Sequence, residues 1–376
     1  MIALKEISSI ADLKTFVKFP FDLYKDSEQW VPPLISEEVR SFDKSKNPVF
    51  RDADARFFLA YKGGKIAGRV VVIINWLEVK DQGIGKVRFG WFDFIDDKAV
   101  SAALLNKVQE IGLQNQLKFM EGPLGFSNLD KVGVLIEGFD SPGTMITWYN
   151  YPYYKDHYES FGLKVEKTYL ESRFSLNHTD PDHYKRIQQV IKARYSLRTV
   201  NFSKTKDIMP WADRMFELFQ KTYIKLSSFV PISKLQIEYF KQKYLKFINP
   251  EYIKFVLDKD DQLVAFAIVM PSYSEAMKKA RGRLFPFGIF HLNKARVKSK
   301  GVLFYLIGIH PDYQNKGITA MIIYEFAQIF NKKGVLNCYR SPELEDNLAI
   351  QQMWKYFKPE VYKRRCTYKL PLHCAE

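Results

Sequence analysis

The chain has 376 residues, of which 47% are hydrophobic, 15% aromatic and 26% charged. This composition supplies real cores and excludes a disordered or low-complexity chain, and the length predicts two domains. The net charge is +15, but residues 1–150 sum to −1 and residues 151–376 to +16, so an anionic partner is expected to meet the C-terminal part.

Cysteine usage and hydrophobic runs exclude further classes. The three cysteines, Cys338, Cys366 and Cys374, are odd in number and form no CxxC, which favours neither a disulfide scaffold nor a metal site. The longest apolar runs, Leu263–Met270 and Val302–Ile309, have eight residues, whereas a membrane-spanning helix needs about 20. We therefore expect a cytoplasmic protein without a metal.

The first half predicts a hairpin followed by alternating strands and helices. Residues 56–75 contain two β-branched and aromatic runs around Gly63-Gly64, a strong hairpin signal. The periodicity then predicts a strand at 87–95, a helix at 98–114, a strand at 118–121, a helix at 153–161 and strands within 163–174.

The second half repeats this order after the polar stretch 177–181. Helices are predicted at 182–195, 211–225 and 234–247, and a hairpin at 253–257 and 263–270. A strand at 302–309, a helix at 316–330, a strand at 335–339, a helix at 347–357 and a strand at 361–370 follow. Repetition of the element order predicts an α/β fold with mixed sheets in two tandem copies, residues 1–177 and residues 178–376.

The segment 307–320 is the most specific part of the sequence. A buried strand ending at Ile309 leads through Gln314-Asn315-Lys316-Gly317 into a helix. Such a turn gathers free backbone N–H groups and the positive end of the helix dipole at one point, where a phosphate can bind. An ordinary strand-to-helix turn remains the alternative.

This loop resembles motif A of the GNAT (Gcn5-related) acyltransferases, Gln/Arg-x-x-Gly-x-Gly/Ala, with Gln314, Gly317 and Thr319 at the three positions. Residues 347–357 resemble motif B of the same family, although Trp354 stands where a tyrosine often acts as general acid. The resemblance implies acyl-CoA as co-substrate. The residues that it implies in binding are Ile307, Ile309, Gln314, Asn315, Lys316, Gly317, Ile318, Thr319 and Asn347.

The first half also ends like a GNAT domain, since residues 150–163 resemble motif B with Tyr158 at the tyrosine position. Its strand exit, however, carries Asp96 and Asp97 instead of a Gln-x-x-Gly loop, and carboxylates repel phosphate. We predict that this degenerate copy does not bind coenzyme A.

Over residues 20–370 the chain resembles the tandem GNAT family of bacterial ceramide-synthase-like acyltransferases. The stretches that carry the resemblance are 30–33, 47–50, 122–127, 137–140 and 282–288. It implies transfer of an acyl group from acyl-CoA or an acyl carrier protein to a small-molecule or lipid amine, for which a long-chain base is one candidate.

Three residues are candidates for proton transfer in this reaction. Tyr158 is a candidate acid, and His310 at the strand exit and Glu137 in a glycine-containing loop with Asp140 are candidate bases. The alternatives are a packed aromatic for Tyr158, a surface residue for His310 and solvated carboxylates for the other two.

Residues 278–300 form a basic segment with eight lysines and arginines and no acid. Arg283, Phe285, Phe287 and Phe290 are predicted to contact substrate or membrane within it. Aromatic groups flanked by cations suit an anionic membrane surface, which would make the protein peripheral at the inner membrane face, or an acidic acyl carrier protein. A solvated basic loop is the alternative.

Two other functions stay open. A tandem GNAT of the Fem type transfers amino acids from charged tRNA, but no heptad run for a coiled-coil arm is visible, and nucleic acid is the less favoured partner. A non-catalytic GNAT-fold binding protein is the third reading.

Overall fold

The computed structural model describes residues 1–372 apart from 176–180, 225, 227–228, 245–246 and 355–356. The chain forms two compact units. Unit 1 comprises Met1–Leu170, Ser274–Ile289 and Tyr362–Glu376, and unit 2 comprises Glu171–Tyr273 and Phe290–Val361. The predicted domains were single segments meeting at 177/178, which lies outside the described residues, whereas each unit is assembled from separate segments.

Strands and helices are interspersed along the chain. The strands are β1 (Ile2–Glu6), β2 (Ala53–Lys62), β3 (Lys65–Asn75), β4 (Lys86–Phe94), β5 (Phe119–Gly122), β6 (Val134–Glu137), β7 (Lys164–Phe174), β8 (Arg198–Asn201), β9 (Ile253–Leu257), β10 (Leu263–Pro271), β11 (Gly301–Ile309), β12 (Asn337–Arg340), β13 (Glu343–Leu344) and β14 (Glu360–Pro371). The α-helices are α1 (Ile10–Leu23), α2 (Ile35–Phe42), α3 (Lys98–Gln114), α4 (Tyr154–Ser160), α5 (Pro181–Tyr195), α6 (Ala212–Tyr223), α7 (Lys234–Tyr244), α8 (Ser274–Ala280), α9 (Gly288–Lys298), α10 (Ile318–Lys333) and α11 (Leu348–Trp354).

The sheet of unit 1 has the strand order β1-β2-β3-β4-β5-β14. Neighbours are antiparallel except β4 and β5, which are parallel. The last strand comes from the C-terminal end of the chain: Tyr368 of β14 pairs with Gly122 of β5. Cys366, Tyr368 and Leu372 pack into the same core as Leu104 of α3, so this core needs residues from both ends of the sequence.

The sheet of unit 2 repeats these pairings in the order β8-β9-β10-β11-β12-β7. Among the described pairings of this sheet, β11 and β12 are parallel and the others antiparallel, and Phe174 at the end of β7 pairs with Cys338 of β12. Helix α10 buries Met321, Phe326 and Phe330 against this sheet. The predicted α/β fold with mixed sheets and an internal repeat is confirmed.

The central strands of unit 2 diverge where the site lies. The parallel pairing of β11 with β12 spans Gly301–Phe304 and Asn337–Arg340. A bulge opposite Ile268 and Val269 then shifts the register between β10 and β11. In the described part of the chain, residues 305–309 of β11 therefore keep a strand neighbour on the β10 side alone. No helix within the described ranges is both long and apolar enough to cross a bilayer.

Candidate active site

The loop between β11 and α10 is held by two left-handed backbone positions. The N–H of His310 donates to the carbonyl of Val264 at 2.8 Å as β11 ends, and a 3-10 turn at Pro311–Tyr313 follows. Asn315 has a φ of 60° and Gly317 a φ of 79°. A Cβ at position 317 would lie 2.6 Å from Cδ1 of Ile191 on α5. The left-handed φ therefore favours glycine here, and any Cβ would also force the Ile191 side chain to shift.

Helix α10 begins without a side chain over its first amides. Gly317 is its N-cap and has no side chain to accept from the helix, although its carbonyl accepts from Ala320 at 2.9 Å. The N–H groups of the first turn lack intrahelical acceptors and carry the positive end of the dipole. Ile318 is buried at 1% exposure and fixes the start of the helix. This end of α10 can therefore accept an anionic group such as a phosphate.

Two polar side chains of the loop contact neighbouring groups of the protein. Nε2 of Gln314 donates to the carbonyl of Ile309 at 3.2 Å, so the side chain closes the loop on the end of β11. The ammonium of Lys316 lies over the rings of Tyr195 and Tyr313, 5.2 and 4.9 Å from their centroids. Lys316 was predicted to face a phosphate. In this structure its charge is stabilised by two aromatic faces, and its contact with a phosphate stays a prediction.

The open part of β11 presents backbone groups to the site. Because His310 bonds across the ladder to β10, the alternation of an antiparallel pair turns the polar groups of Ile307 and Ile309 away from β10. Their carbonyls accept from side chains: Ile307 from the hydroxyl of Tyr223 at 3.2 Å, and Ile309 from Gln314. An extended ligand with amide groups can pair with this edge as a further strand would.

Tyr223, at the end of α6, is a residue that the sequence analysis missed. Its ring stacks on Phe219 with centroids 4.3 Å apart, and its hydroxyl donates to Ile307 at the open part of β11. Burial raises the pKa of Tyr223 to about 12. The phenol therefore stays protonated at neutral pH and can give a proton to a leaving group.

His310 has a structural partner. Its Nδ1 accepts from the N–H of Asp312 at 3.3 Å and caps the 3-10 turn. The structure thus places His310 at the strand exit, as predicted, in the role of a turn cap.

The two candidates in unit 1 lie in different surroundings. Tyr158 has 0% exposure, and its ring packs against those of Phe92 and Tyr368, with centroids 5.6 and 4.9 Å apart. Burial raises the pKa of Tyr158 well above its ordinary value. Tyr158 is therefore a packed core aromatic, and the role of acid is not supported by its position. The side chain of Glu137 is 63% exposed and pairs with Arg364 at 3.1 Å. This position matches the alternative to a catalytic base, a solvated carboxylate.

Motif B of unit 2 serves to build helix α11. Oδ1 of Asn347 accepts from the N–H of Ile350 at 3.3 Å, and the backbone carbonyl of Asn347 accepts from Gln351 at 3.2 Å. Asn347 thus caps the helix. Trp354, at the position of the tyrosine acid, has 0% exposure and packs edge-on against Phe304, with centroids 4.9 Å apart. It belongs to the core of unit 2.

The corresponding helix start in unit 1, at α3, is capped by a side chain. Asp97 is the N-cap of α3, and its carboxylate accepts from the N–H of Ala99 at 2.9 Å. The carboxylate of Asp96 accepts from Nε2 of His157 at 2.9 Å. A side-chain anion therefore occupies the helix start that is bare in unit 2.

The residues predicted to contact substrate or membrane are all exposed. Arg283 is exposed, as are Phe285, Phe287 and Phe290.

Across the described residues, no group of three or more His, Cys, Asp or Glu side chains is arranged to hold a metal ion.

These features define the class of fold: the chain has the fold of the tandem GNAT proteins. Its structure is similar to a tandem GNAT protein from the clavulanic acid biosynthesis pathway, with a TM-score of 0.59 at 10% identity and full coverage of both chains. It is also similar to a GCN5-related N-acetyltransferase from Sphaerobacter thermophilus, with a TM-score of 0.54 at 10% identity over 100% of this chain and 97% of that one.

Two curated proteins are similar in sequence. Protein YghO of Escherichia coli is 27% identical over 369 residues, which cover 95% of this chain and 92% of the relative. A bacterial ceramide synthase of Caulobacter vibrioides is 24% identical over 298 residues, which cover 79% and 76% respectively. No model of a known protein family matches the sequence.

Proposed function

We propose that the chain is an N-acyltransferase that moves an acyl group from acyl-CoA to an amine. The observation that carries the proposal is the start of α10, where Gly317 leaves the first-turn amides uncapped beside the open part of β11. The turn offers an anion site and the strand offers an amide edge. Those are the two features that a pyrophosphate followed by an amide-containing arm requires.

In this reaction the N–H groups of Ile318 and Thr319 bind the pyrophosphate of coenzyme A. Backbone groups of Ile307 and Ile309 align the pantetheine arm, and the N–H of a residue on this edge stabilises the oxyanion that forms when the amine attacks the thioester carbonyl. Holding both reactants in line supplies much of the rate. The attacking nitrogen gives its surplus proton to a water molecule, and collapse of the tetrahedral intermediate breaks the C–S bond. The hydroxyl of Tyr223 gives the departing thiolate its proton and takes one back from water.

The acceptor in this proposal is an amine with a long hydrocarbon chain. The support is the name of the Caulobacter relative, a ceramide synthase. Unit 1 has no part in coenzyme binding in this proposal, because the carboxylate of Asp97 occupies the equivalent helix start and repels phosphate.

A matched pair of glycine variants tests the coenzyme site. Gly317 and Gly334 both adopt left-handed backbone at opposite ends of α10, with φ of 79° and 62°. Replacing either one with alanine costs about 1–2 kcal/mol of stability, because a Cβ is strained in this conformation. The Cβ at 317 also meets Ile191, whereas at 334 it meets the flexible end of Lys300.

Calorimetric titration with acetyl-CoA and palmitoyl-CoA is the measurement. We expect Gly317→Ala to weaken binding at least tenfold and Gly334→Ala to leave it within about twofold of the wild type. Equal loss in both variants, or no coenzyme binding by the wild type, would contradict the proposed site. Tight binding of charged tRNA in place of either coenzyme would favour transfer of the Fem type.

A further inference from the structure

The segment that links α8 to α9 presents three large apolar side chains to solvent. Phe285, Phe287 and Phe290 are 75%, 70% and 67% exposed and lie within six residues of one another in the chain. Single exposed apolar residues are ordinary, but a cluster of phenyl groups on a surface marks a contact site. None of the three is needed for the cores of either unit.

The loop that carries two of these phenyl groups has a fixed base. The N–H of Ile289 donates to the carbonyl of Leu284 at 2.7 Å, and a Cβ on Gly288 would lie 2.0 Å from the carbonyl oxygen of Arg283. At the start of the loop, Gly282 accepts from the N–H of Ile35 at 3.0 Å and abuts the ring of Phe21. These contacts fix the backbone of the loop, and the fixed backbone holds Phe285 and Phe287 in exposed positions.

Helix α9 continues the same chemistry along its outer face. Phe290, Lys294 and Val297 follow at helical spacing, and all three are exposed, Val297 to 55%. Leu292 points to the other side and is buried at 5% exposure. This exposed face offers two apolar groups to the boundary of a bilayer, and the lysine between them can reach the head groups.

The charges of this segment divide into two sets. Three cations have partners within the protein: Lys278 pairs with Glu275 at 3.6 Å, Arg296 donates to the carbonyl of Ile248, and Lys300 donates to the carbonyl of Lys333. The others are exposed and flank the phenyl groups along the chain: Lys279, Arg281, Arg283, Lys294 and Lys298. No acidic residue lies between positions 276 and 300.

We propose that residues 279–298 dock the protein on an anionic lipid bilayer. The exposed cations meet the lipid phosphates while the phenyl groups and Val297 enter the boundary between head groups and acyl chains. A bilayer fits better than an acidic carrier protein, because cations alone suffice for an acidic surface and leave three phenyl groups in water. This proposal does not depend on the proposed acyl transfer.

Co-sedimentation of the full chain with vesicles tests the docking. Vesicles of phosphatidylcholine with 30% phosphatidylglycerol are compared with vesicles of phosphatidylcholine alone, at low and high sodium chloride. We expect the wild type to bind the anionic vesicles at least tenfold more strongly than the neutral ones, and high salt to weaken this binding because the cations are screened.

Two variants separate the two contributions. Phe285→Ser, Phe287→Ser and Phe290→Ser together should reduce the partition coefficient on anionic vesicles at least tenfold. Replacing the five exposed cations with glutamine should abolish the preference for anionic lipid. The matched control replaces Ile10, Val165 and Val190, which are 60%, 51% and 64% exposed elsewhere, with serine and should bind like the wild type.

Circular dichroism and thermal melting confirm that each variant is folded. The docking is refuted if the wild type ignores anionic vesicles, or if the phenylalanine variant binds them as the wild type does. Binding of an isolated acidic acyl carrier protein without binding to vesicles would also overturn it, in favour of a protein partner. Titration of the same variants with acyl-CoA tests the proposed coenzyme site separately from binding to the bilayer.

Discussion

At the scale of single residues, one position distinguishes the two helix starts. Asp97 caps α3 with its carboxylate, whereas Gly317 leaves the amides of α10 bare. The sequence predicted both properties, because a Gln-x-x-Gly loop and a pair of aspartates are local signals. It could not predict that Lys316 lies over Tyr195, since the tyrosine belongs to a helix more than a hundred residues away in the chain.

Tyr223 provides a test of the proposed proton transfer. Phenylalanine at this position keeps the stacking on Phe219 and removes the hydroxyl that bonds to Ile307. We expect kcat to fall about 100-fold, as for loss of a general acid, with the KM for acyl-CoA nearly unchanged. Steady-state kinetics between pH 6 and 10 measures this. With a pKa near 12, Tyr223 itself should add no ionisation to the wild-type profile in that range.

Tyr252→Phe is the control for loss of a buried hydroxyl in the same unit. Tyr252 is 1% exposed in the core of unit 2, and burial raises its pKa to about 12 as well. Its removal should leave kcat within about twofold of the wild type. An equal fall in both variants would show that Tyr223 acts through stability alone.

Lys254 on β9 gives a dependence of stability on pH. It is 1% exposed, and burial lowers its pKa to about 8, although Glu325 acts in the opposite direction. In the unfolded chain lysine titrates near 10.4. Between about pH 8 and pH 10 the native state has released this proton and the unfolded state has kept it, so the free energy of unfolding rises with pH in that window.

Urea unfolding at pH 7.5 and 9.5 measures this contribution. We expect the titration of Lys254 to make the free energy of unfolding about 2 kcal/mol larger at pH 9.5 than at pH 7.5. The difference should vanish in Lys254→Met and persist in Lys259→Met, whose side chain is exposed on the turn after β9. A pH response unaltered by Lys254→Met would exclude this lysine as its source.

At the scale of elements, local pattern was sufficient for some and insufficient for others. The hairpin of β2 and β3, helix α3 and strand β9 lie where they were predicted, because each has a regular period and a clear turn or cap. Helices α1 and α9 were not predicted. Helix α1 has a buried stripe, Leu13, Phe16 and Val17, but Pro20 lies inside it and is a signal against a helix in the sequence. Helix α9 carries Phe290 and Val297 on an exposed face, so it lacks the usual stripe that faces a core.

Asn347, at the start of helix α11, has a predicted role in binding and an observed role as a helix cap. Asn347 was predicted to bind acyl-CoA from its resemblance to motif B, and the structure uses it to cap α11. Replacing this N-cap with alanine should cost about 1 kcal/mol of stability, whereas Asn347→Asp keeps a capping oxygen and should be nearly neutral. Thermal unfolding together with coenzyme titration checks this pair.

The two readouts separate the roles of Asn347. If it only caps the helix, coenzyme affinity should stay within about twofold in both variants. If it also binds the coenzyme, Asn347→Asp should weaken affinity while retaining stability, because a carboxylate near the pyrophosphate repels it.

At the scale of the whole molecule, the repeat was visible in the sequence but the assembly of the units was not. A pattern along the chain defines which strands exist, but it carries no information about which distant strand completes a sheet. Strand β14 was predicted as the last element of the second copy. It pairs with β5 instead and places Tyr368 in the core of unit 1.

This arrangement predicts the behaviour of truncated chains. A chain that ends at Val361 loses the segment that pairs with β5 and β6. Strand β5 then keeps β4 on one side and has an open edge on the other, β6 loses its pairing with β14, and the core loses Cys366, Tyr368 and Leu372. We expect hydrogen exchange, measured by mass spectrometry, to show loss of amide protection in β4 and β5. Protection in β9 and β10 should remain near that of the full chain, since their pairing lies within unit 2. For the same reason, residues 1–177 expressed alone should not fold.

A peptide of residues 360–372 supplied in trans should restore protection to β5, because its backbone can pair with an exposed strand edge. The matched control is the same peptide with Tyr368→Asp, which keeps the backbone pairing but would place an unpaired carboxylate in the core, a cost that the strand pairing does not offset. Native protection of β5 in the truncated chain without any peptide would show that unit 1 closes its sheet by itself. Rescue by the aspartate peptide as well would show that edge pairing alone, without the core contact of Tyr368, is what unit 1 takes from the end of the chain.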